Sequence, residues 1–364
     1  MASGSAPHIY SLRARSIDAR SIDFDIIRGR MRLCIGKHMK QCVQAAPSTL
    51  DLKDLKLIDC EQRRIIQALP SNKYSALSYV WGTNGFGNND RSIHNKLPTT
   101  LPQTIEDALK VTKELDLRYI WIDRYCINQD DDAEKQIQIQ QMDLIYQNAF
   151  ITIVAAAGTD PHFGLPGIGT SRDLQKKAWI KGTCLVSIFP DLKETIKTSK
   201  WIQRAWTYQE SFFSTRRLVF TTKQVYYECR GVVAYETVDN FEETTYSHMF
   251  NAASHSEHHP WRICHHLSAY SWRELSVEAD AIRAFEGVFN NFKRKRFPVR
   301  QFLGVPIMPA VIRGPSGGQK PARRSRSEAF AAGLSWINSA SRTRRTQFTT
   351  WSWAGWTAPF VYSN

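Results

Sequence analysis

Three short apolar runs, separated by segments with helical patterning, constrain the fold of this 364-residue chain most strongly. The runs lie at residues 74–80, 119–123 and 150–154, and they are rich in β-branched and aromatic side chains, as buried strands are. Between them, apolar residues recur at helical spacing. A strand–helix–strand connection favours parallel strands because the helix returns the chain to the same end of the sheet. We therefore predict an α/β fold, a parallel sheet with flanking helices.

Local signals predict where two of the intervening helices begin. Thr104 and Asp107 have the spacing of a capping box, with Asp in place of the usual Glu or Gln. Asp131 has the character of an N-cap in front of the second helix. We therefore expect the two helices to begin at Thr104 and at Asp131.

The pattern changes on either side of this α/β series, and we divide the chain accordingly. Residues 1–70 are a polar lead-in with one short helix. Residues 71–230 hold the α/β series and end in a predicted β-hairpin, whose strands are 217–220 and 225–229. Residues 231–364 are predicted to form a mixed C-terminal extension, helical and aromatic-rich, with a basic loop.

Positive charge is concentrated in one segment of that extension. The chain carries 48 Lys and Arg against 34 Asp and Glu, a formal net charge of +14. Residues 291–345 contain 13 basic residues and one acidic residue, so this segment carries +12 and the rest of the chain only +2. Such a segment is suited to nucleic acid or to acidic lipid. Because aromatic residues do not interleave with these charges, we favour a solvated loop and do not expect a nucleic-acid partner.

The seven cysteines indicate a reducing compartment. They are odd in number and widely spread, which fits free thiols better than a disulfide framework. The first residues show no secretory signal, and the longest apolar stretch, residues 149–157, is well short of the roughly 20 residues that span a bilayer. We therefore expect a cytoplasmic protein without a membrane span.

Cys34, His38 and Cys42 recur at intervals of four residues and would share one face of a helix. Three soft ligands on one face could begin a zinc site, but no fourth ligand is evident nearby and the spacing is not that of a standard zinc finger. Cysteine is also commonly a small buried apolar residue. We favour buried thiols here, and the sequence predicts no metal site.

Three blocks of sequence resemble the fungal heterokaryon incompatibility (HET) domain. They are YSALSYVWG at 74–82, WIDRYCINQDD at 121–131 and RAWTYQE at 204–210. The resemblance extends from about residue 70 to residue 230, so the predicted domain at 71–230 is the HET domain. It implies a role in non-self recognition and in programmed cell death when incompatible fungal strains fuse. Protein partners in that signalling, and a homo-oligomer, are expected from the same resemblance.

The HET domain is in turn similar to Toll-interleukin receptor (TIR) domains, which are flavodoxin-like α/β units, and some of these cleave NAD at the nicotinamide glycosidic bond. The resemblance implies that NAD would be a substrate, with no resident cofactor. TIR enzymes carry a catalytic Glu four residues after a Trp, and Trp206 and Glu210 have this spacing. Glu210 is thus the catalytic candidate, since a carboxylate stabilises the positive charge that builds on the ribose. The alternatives are an exposed helical Glu, or one paired with Arg204 or Arg217.

Further candidate residues follow the first two predicted strands, at the ends where open parallel sheets bind ligands. Asp123 is suited to ribose hydroxyls and Arg124 to a phosphate. The alternative is that Asp123 caps the loop and Arg124 is its ion-pair partner. The candidate substrate-binding residues are Ser78, Tyr79, Trp81, Gly82, Asp123, Arg124, Asn128, Arg204 and Trp206.

Three hypotheses for the function follow. The leading one is an intracellular incompatibility effector with a TIR-like core that hydrolyses NAD. The second is a non-enzymatic signalling module that acts by self-association through the same fold. The third, suggested by the basic segment, is a binder of nucleic acid or acidic lipid.

Overall fold

An eight-stranded sheet forms the centre of the protein. The computed structural model describes residues 14–38, 42, 52–82, 95–238, 259–312, 322–323, 325–339, 341 and 343–362. The first ten strands in chain order are β1 (Lys56–Asp59), β2 (Arg64–Gln67), β3 (Tyr74–Ser78), β4 (Tyr119–Trp121), β5 (Ile151–Ala155), β6 (Lys177–Ile180), β7 (Thr183–Val186), β8 (Arg216–Phe220), β9 (Val225–Cys229) and β10 (Val233–Tyr235). Across the sheet the order is β10-β9-β8-β5-β3-β4-β1-β2, and β6 pairs with β7 in a separate hairpin.

The four central strands are parallel, and the three strands predicted first, now β3, β4 and β5, are among them. β3 lies between β4 and β5, and β5 pairs with β8 in parallel register. Both margins are antiparallel, because β1–β2 and β8–β9–β10 are joined by short turns instead of helices. The α/β class and the β8–β9 hairpin are therefore confirmed. The expected parallel sheet is wrong at its margins, since the sheet is mixed.

Helices connect the parallel strands, as the βαβ pattern predicted. Up to β8 the helices are α1 (Phe24–Lys37), α2 (Gln103–Glu114), α3 (Asp123–Cys126), α4 (Asp132–Gln140), α5 (Met142–Asn148), α6 (Leu192–Ile196), α7 (Lys200–Gln203) and α8 (Thr207–Phe213). Successive side chains of a strand point to opposite faces of the sheet, and each face packs into its own hydrophobic core. Ile153 and Leu218 belong to the larger core, whereas Val154 and Val219 belong to the smaller one, to which α6 and α7 contribute.

The two predicted helix starts have different outcomes. Asp131 caps α4 as expected, through hydrogen bonds from the first backbone N–H groups of the helix. Thr104 and Asp107 instead lie inside α2, where their side chains accept hydrogen bonds from the backbone N–H groups of Gly164 and Leu165. The predicted capping box is therefore wrong, because a loop distant in sequence takes these acceptors.

The C-terminal part packs on the sheet domain through helices. It contains α9 (Arg262–Ser271), α10 (Arg283–Lys293), α11 (Arg326–Gly333) and the paired strands β11 (Arg300–Phe302), β12 (Val305–Ile307), β13 (Val311–Ile312), β14 (Ala322–Arg323), β15 (Trp336–Asn338) and β16 (Phe360–Tyr362). α10 lies against α5 and α8. A Cβ added at Gly287 of α10 would lie 2.8 Å from the Asp143 side chain and 2.9 Å from that of Gln209, so this contact requires glycine.

The sheet itself crosses both predicted domain divisions, since β1 and β2 precede residue 71 and β10 follows residue 230. In the described parts of the chain, no helix combines the length and the apolar content that crossing a membrane requires.

Candidate functional site

The candidate residues meet where β3 and β4 end. Ser78 is the last residue of β3, and Asp123 is the first residue of α3, two positions after β4 ends. Because the two strands are parallel neighbours, their carboxyl ends lie at one edge of the sheet. α8 contacts β3 and brings Glu210 to this edge.

Glu210 lies at the centre of a buried hydrogen-bonded chain. Its carboxylate accepts a hydrogen bond of 2.5 Å from the Ser78 hydroxyl, and the Trp201 indole N–H donates to that same hydroxyl at 2.8 Å. The Tyr146 side chain also lies near this carboxylate, while its hydroxyl donates to the Leu77 backbone oxygen at 3.1 Å. Glu210 is only 5% exposed, and Ser78 and Trp201 are buried as well. The structure thus fixes one carboxyl oxygen with a neutral donor.

The bend between α7 and α8 sets the position of Glu210. The pattern of residues 201–213 predicts one continuous helix, but the chain leaves the helix at Arg204 and resumes it at Thr207. The Thr207 hydroxyl lies 2.8 Å from the backbone oxygens of Trp201 and Arg204, which share its single proton, and it accepts a hydrogen bond from Arg273. These contacts place Trp201 and Glu210 on either side of Ser78.

Glu210 is neither exposed nor ion-paired among the described residues. Arg217 instead pairs with Glu228 at 2.8 Å, and both of those side chains are buried. The Arg204 guanidinium donates to the backbone oxygen of Tyr79, so it acts on Glu210 through its charge and not through a contact. Neither alternative that the sequence left open therefore describes Glu210.

The cluster contains two carboxyl groups with raised pKa values. Burial raises the pKa of Glu210 to about 7, against the opposing effects of the Arg204 charge and of the Ser78 hydrogen bond. Burial likewise raises the pKa of Asp123 to about 6, again opposed by Arg204. At neutral pH Glu210 is consequently divided between acid and carboxylate, which is the property of a residue that both accepts and releases protons.

Asp123 is held by two donors and stands next to a stacked cation. The Trp81 indole N–H donates to one of its oxygens at 2.9 Å, and the Arg124 backbone N–H donates to the other at 2.7 Å. The Arg124 guanidinium lies over the Trp81 ring, 5.7 Å from its centre. The structure therefore brings Trp81, Asp123 and Arg124 together next to the buried cluster.

Tyr79 contributes a buried hydroxyl without a partner. Its side chain is 2% exposed, and its hydroxyl makes no hydrogen bond within the part of the chain that the structure describes. The charges of Asp123, Arg124 and Arg204 act on this group. A buried polar atom left unpaired next to such charges is suited to a hydrogen bond with a bound molecule.

Three candidates lie outside the hydrogen-bonded chain. Asn128 is exposed, and its side chain accepts from the backbone N–H of Asp130. Gly82 is exposed with a φ of +82°, the left-handed conformation that favours glycine. Trp206 is half-buried, and its side chain lies near the Asp280 carboxyl.

The tryptophan nearest to Glu210 in this chain of contacts is Trp201, which the sequence did not single out. A spacing of nine residues gives no helical signal, and only the bend after α7 brings the two side chains to Ser78. Cys229 is a second residue that was missed. It lies beside Cys34, His38 and Cys42 in space, although most strands of the sheet come between them in the sequence.

Comparison with known proteins gives one family and one relative. Residues 74–210 match the model of the family described as heterokaryon incompatibility protein (HET). Heterokaryon incompatibility protein 6, OR allele, of Neurospora crassa is 35% identical over 98 residues. That match covers 23% of this chain and 14% of the relative's length. No solved structure matches the chain significantly. Residues 74–210 are therefore similar to the heterokaryon incompatibility family, over less than half of the chain.

Proposed function

We propose that the chain is an effector of fungal heterokaryon incompatibility, and that it acts by cleaving NAD at the site around Glu210. The matched family and the relative from Neurospora crassa support the first part. Because the match spans only 14% of that relative, the role of the whole protein is inferred from one shared domain. We also propose that it acts in the cytoplasm, because its seven cysteines, odd in number and widely spread, fit free thiols in a reducing compartment.

The state of Glu210 is the observation that carries the enzymatic proposal. Glu210, whose pKa is about 7, lies near Asp123, a second acid with a raised pKa. Both lie at the edge of the sheet where the parallel strands end. Perturbed acids cluster at active sites more often than elsewhere. The four parallel strands also follow the order 2-1-3-4 when numbered along the chain, as in flavodoxin-like sheets. This order supports the similarity to TIR domains. Such sheets bind ligands where the order reverses, which is here between β3 and β5, so Ser78 at the end of β3 borders that position.

The proposed reaction is hydrolysis of the bond between nicotinamide and ribose. The C1′–N1 bond breaks, and its electron pair neutralises the positive nicotinamide ring, which leaves. Positive charge then lies on the ribose, where the Glu210 carboxylate stabilises it. Water attacks C1′ and transfers its proton to Glu210, so the products are ADP-ribose, nicotinamide and a proton.

Neighbouring side chains supply the remaining contacts for this substrate. Asp123 would accept from ribose hydroxyls, and the cations Arg124 and Arg204 would face the phosphates. The Tyr79 hydroxyl, buried and unpartnered in the described structure, would donate to a substrate oxygen. Since Glu210 is 5% exposed, the ribose reaches it only after the residues that cover its side chain move. An effector that is inactive until it is triggered requires such a closed state.

Nicotinamide release from NAD by the purified protein tests this proposal. We expect Glu210→Gln to lower the rate by about 100-fold or more, because Gln keeps the shape and removes both the charge and the titration. Glu274→Gln is the matched control, since Glu274 is exposed and pairs with Lys200 on the surface. Equal rates for Glu210→Gln and the control would refute the enzymatic proposal. The incompatibility role would then be tested separately by cell death in a fungal host.

A second candidate, self-association without catalysis, is favoured by the β6–β7 hairpin. Its Trp179 is 74% exposed, and Ile180 and Leu185 are exposed as well. β6 and β7 pair only with each other among the described strands, so each has an edge open to a further strand. A second copy of the chain would cover both the apolar side chains and an edge. Light scattering tests this: a concentration-dependent dimer that Trp179→Glu abolishes supports it, and a monomer at all concentrations contradicts it.

A further inference from the structure

We propose that Cys34, His38, Cys42 and Cys229 bind one zinc ion. The ligand atoms of these four residues all lie within 4.8 Å of one another. The His38 Nδ1 is 3.4 Å from the Cys229 sulfur. In a tetrahedral zinc site with Zn–S bonds of about 2.3 Å, neighbouring donor atoms are about 3.8 Å apart. The four donors are therefore close to the required arrangement, and three thiols with one imidazole are a standard structural set for zinc.

Two separate parts of the fold build the cluster. Cys34 lies in α1, and the backbone N–H groups of His38 and Cys42 each donate to the residue four positions earlier, which keeps the three side chains on one face. Cys229 is the last residue of β9, where the chain turns into β10. The turn is closed by backbone hydrogen bonds between Cys229 and Val232. The fourth ligand that the local sequence lacked thus comes from the sheet.

The surroundings of the sulfurs match those of bound thiolates. The Arg216 Nε donates to the Cys34 sulfur at 3.3 Å, and the backbone N–H of Gly231 donates to the Cys229 sulfur at 3.4 Å. Donors of this kind lower the charge on metal-bound sulfur and orient the ligands. They are also the contacts that a merely apolar pocket would not supply.

Arg216 gives an independent argument from charge. It is 6% exposed, and its guanidinium has no carboxylate partner in the described structure: it contacts the Cys34 sulfur, the Phe150 backbone oxygen and, at 5.0 Å from its centre, the uncharged Phe150 ring. A buried cation without a counter-charge is costly. Three thiolates and one Zn²⁺ carry a net charge of −1, which Arg216 balances. Three neutral thiols would leave this cation uncompensated.

The proposed site is structural, because four protein ligands close it and leave no position for substrate. Cys34, Cys42 and Cys229 are buried, and His38 is half-buried. The ion would fix α1 to the end of β9, and α1 lies outside the matched domain at 74–210. The sequence predicted buried thiols without a metal. We propose instead a zinc ion that links α1 to the sheet.

Metal analysis of the full-length protein, purified under reducing conditions, tests the proposal. We expect about one zinc per chain, and replacement by Co²⁺ should give the intense absorption of cobalt bound to thiolates in tetrahedral geometry. Cys229→Ser should lose most of the metal. Cys264→Ser, which removes a buried cysteine outside the cluster, should keep it. His38→Cys should also retain zinc, because it preserves four donors.

A second measurement applies even if Cys229→Ser does not fold. In the wild-type protein, alkylation followed by mass spectrometry should modify the exposed Cys184 at once. Cys34, Cys42 and Cys229 should react at least tenfold faster after a chelator has removed the metal. A protein without zinc that gives no cobalt–thiolate absorption, or one whose three cysteines react equally with and without chelator, would overturn the proposal.

Discussion

Two buried glutamates on neighbouring elements have opposite surroundings. Glu228 of β9 is paired with Arg217 at 2.8 Å, and that arginine also donates to the backbone oxygens of Ser211 and Ser214. Glu210 of α8 is equally buried, but its carboxylate accepts its hydrogen bond from the neutral Ser78 hydroxyl and has no ion-pair partner among the described residues. Glu228 therefore has a full counter-charge in contact, whereas Glu210 has only the more distant Arg204.

The difference distinguishes a carboxylate that stabilises the fold from one that can take up and release a proton near neutral pH. An ion pair with further hydrogen bonds offsets the cost of burying both charges, so Glu228 and Arg217 join β8 to β9 and to the end of α8. A neutral donor offsets that cost only in part, which is why burial raises the pKa of Glu210 to about 7. Holding an acid in this state lowers stability, and proteins retain such groups mainly at functional sites.

The largest effect is expected from Glu228→Gln. The substitution leaves the Arg217 cation buried without its counter-charge, which should cost about 3–5 kcal/mol of unfolding free energy. Chemical denaturation at neutral pH measures this, with the surface variant Glu274→Gln as the control. A loss below about 1 kcal/mol would mean that the pair is dispensable and that the contrast with Glu210 has no energetic basis.

The next largest effect is a pH dependence of the unfolding free energy that Glu210 causes and that Glu210→Gln removes. The folded pKa is about 7 and the reference value 4.5, so between these pH values the folded protein keeps a proton that the unfolded chain has released. Stability should therefore fall as pH rises from 4.5 to 7, by about 3 kcal/mol, and stay level above that. Glu210→Gln should lack this component. Denaturation at pH 5 and pH 8 compares the two, and parallel curves would contradict the assignment.

A smaller effect should distinguish the two tryptophans. Trp201→Phe removes the N–H that donates to Ser78 and leaves a small void in a fully buried position, which should cost about 1–3 kcal/mol. Trp206→Phe removes a contact to Asp280 at a half-buried position and should cost about 1 kcal/mol or less. Thermal melting ranks the two variants. The reverse order would show that Trp206, as the sequence spacing suggested, is the ring that supports Glu210.

The smallest effect is expected in the basic segment. Ile312 pairs directly with Ala322, so residues 313–321, all of which lie outside the described structure, can be replaced by an Asn-Gly turn. We expect the melting temperature to change by a few degrees at most, because the segment offers few apolar anchors. Ser325 must be left in place, since it caps α11. Insoluble protein would show that the segment packs on the core.

The central strands could be predicted from sequence because each is an apolar run long enough to be unambiguous. β3, β4 and β5 were found within a few residues of their ends. β1 and β2 were missed, since four-residue edge strands with exposed positions carry little pattern. The mixed character of the sheet depends on how those edges pair, which no local pattern contains.

The candidate site was predictable only where its residues lie at strand ends. The order of the sheet brings Ser78 and Asp123 together, and the βαβ pattern was enough to expect that. Trp201 and Cys229 could not be expected, because each acts on a partner far away in the sequence. Spacing within one element predicts which side chains share a face, and it contains no information about what covers that face.

The protonation of Glu210 is the most direct test of the contrast between the two carboxyl groups. Carbon-13 NMR of protein labelled at the Glu carboxyl carbons, recorded for wild type and for Glu210→Gln, identifies the signal of this group by its loss in the variant. We predict that this signal titrates with a midpoint near 7, the value to which burial raises the pKa of Glu210. A midpoint near the ordinary value of 4.5 would contradict it, and Glu210 would then be one more compensated carboxylate like Glu228.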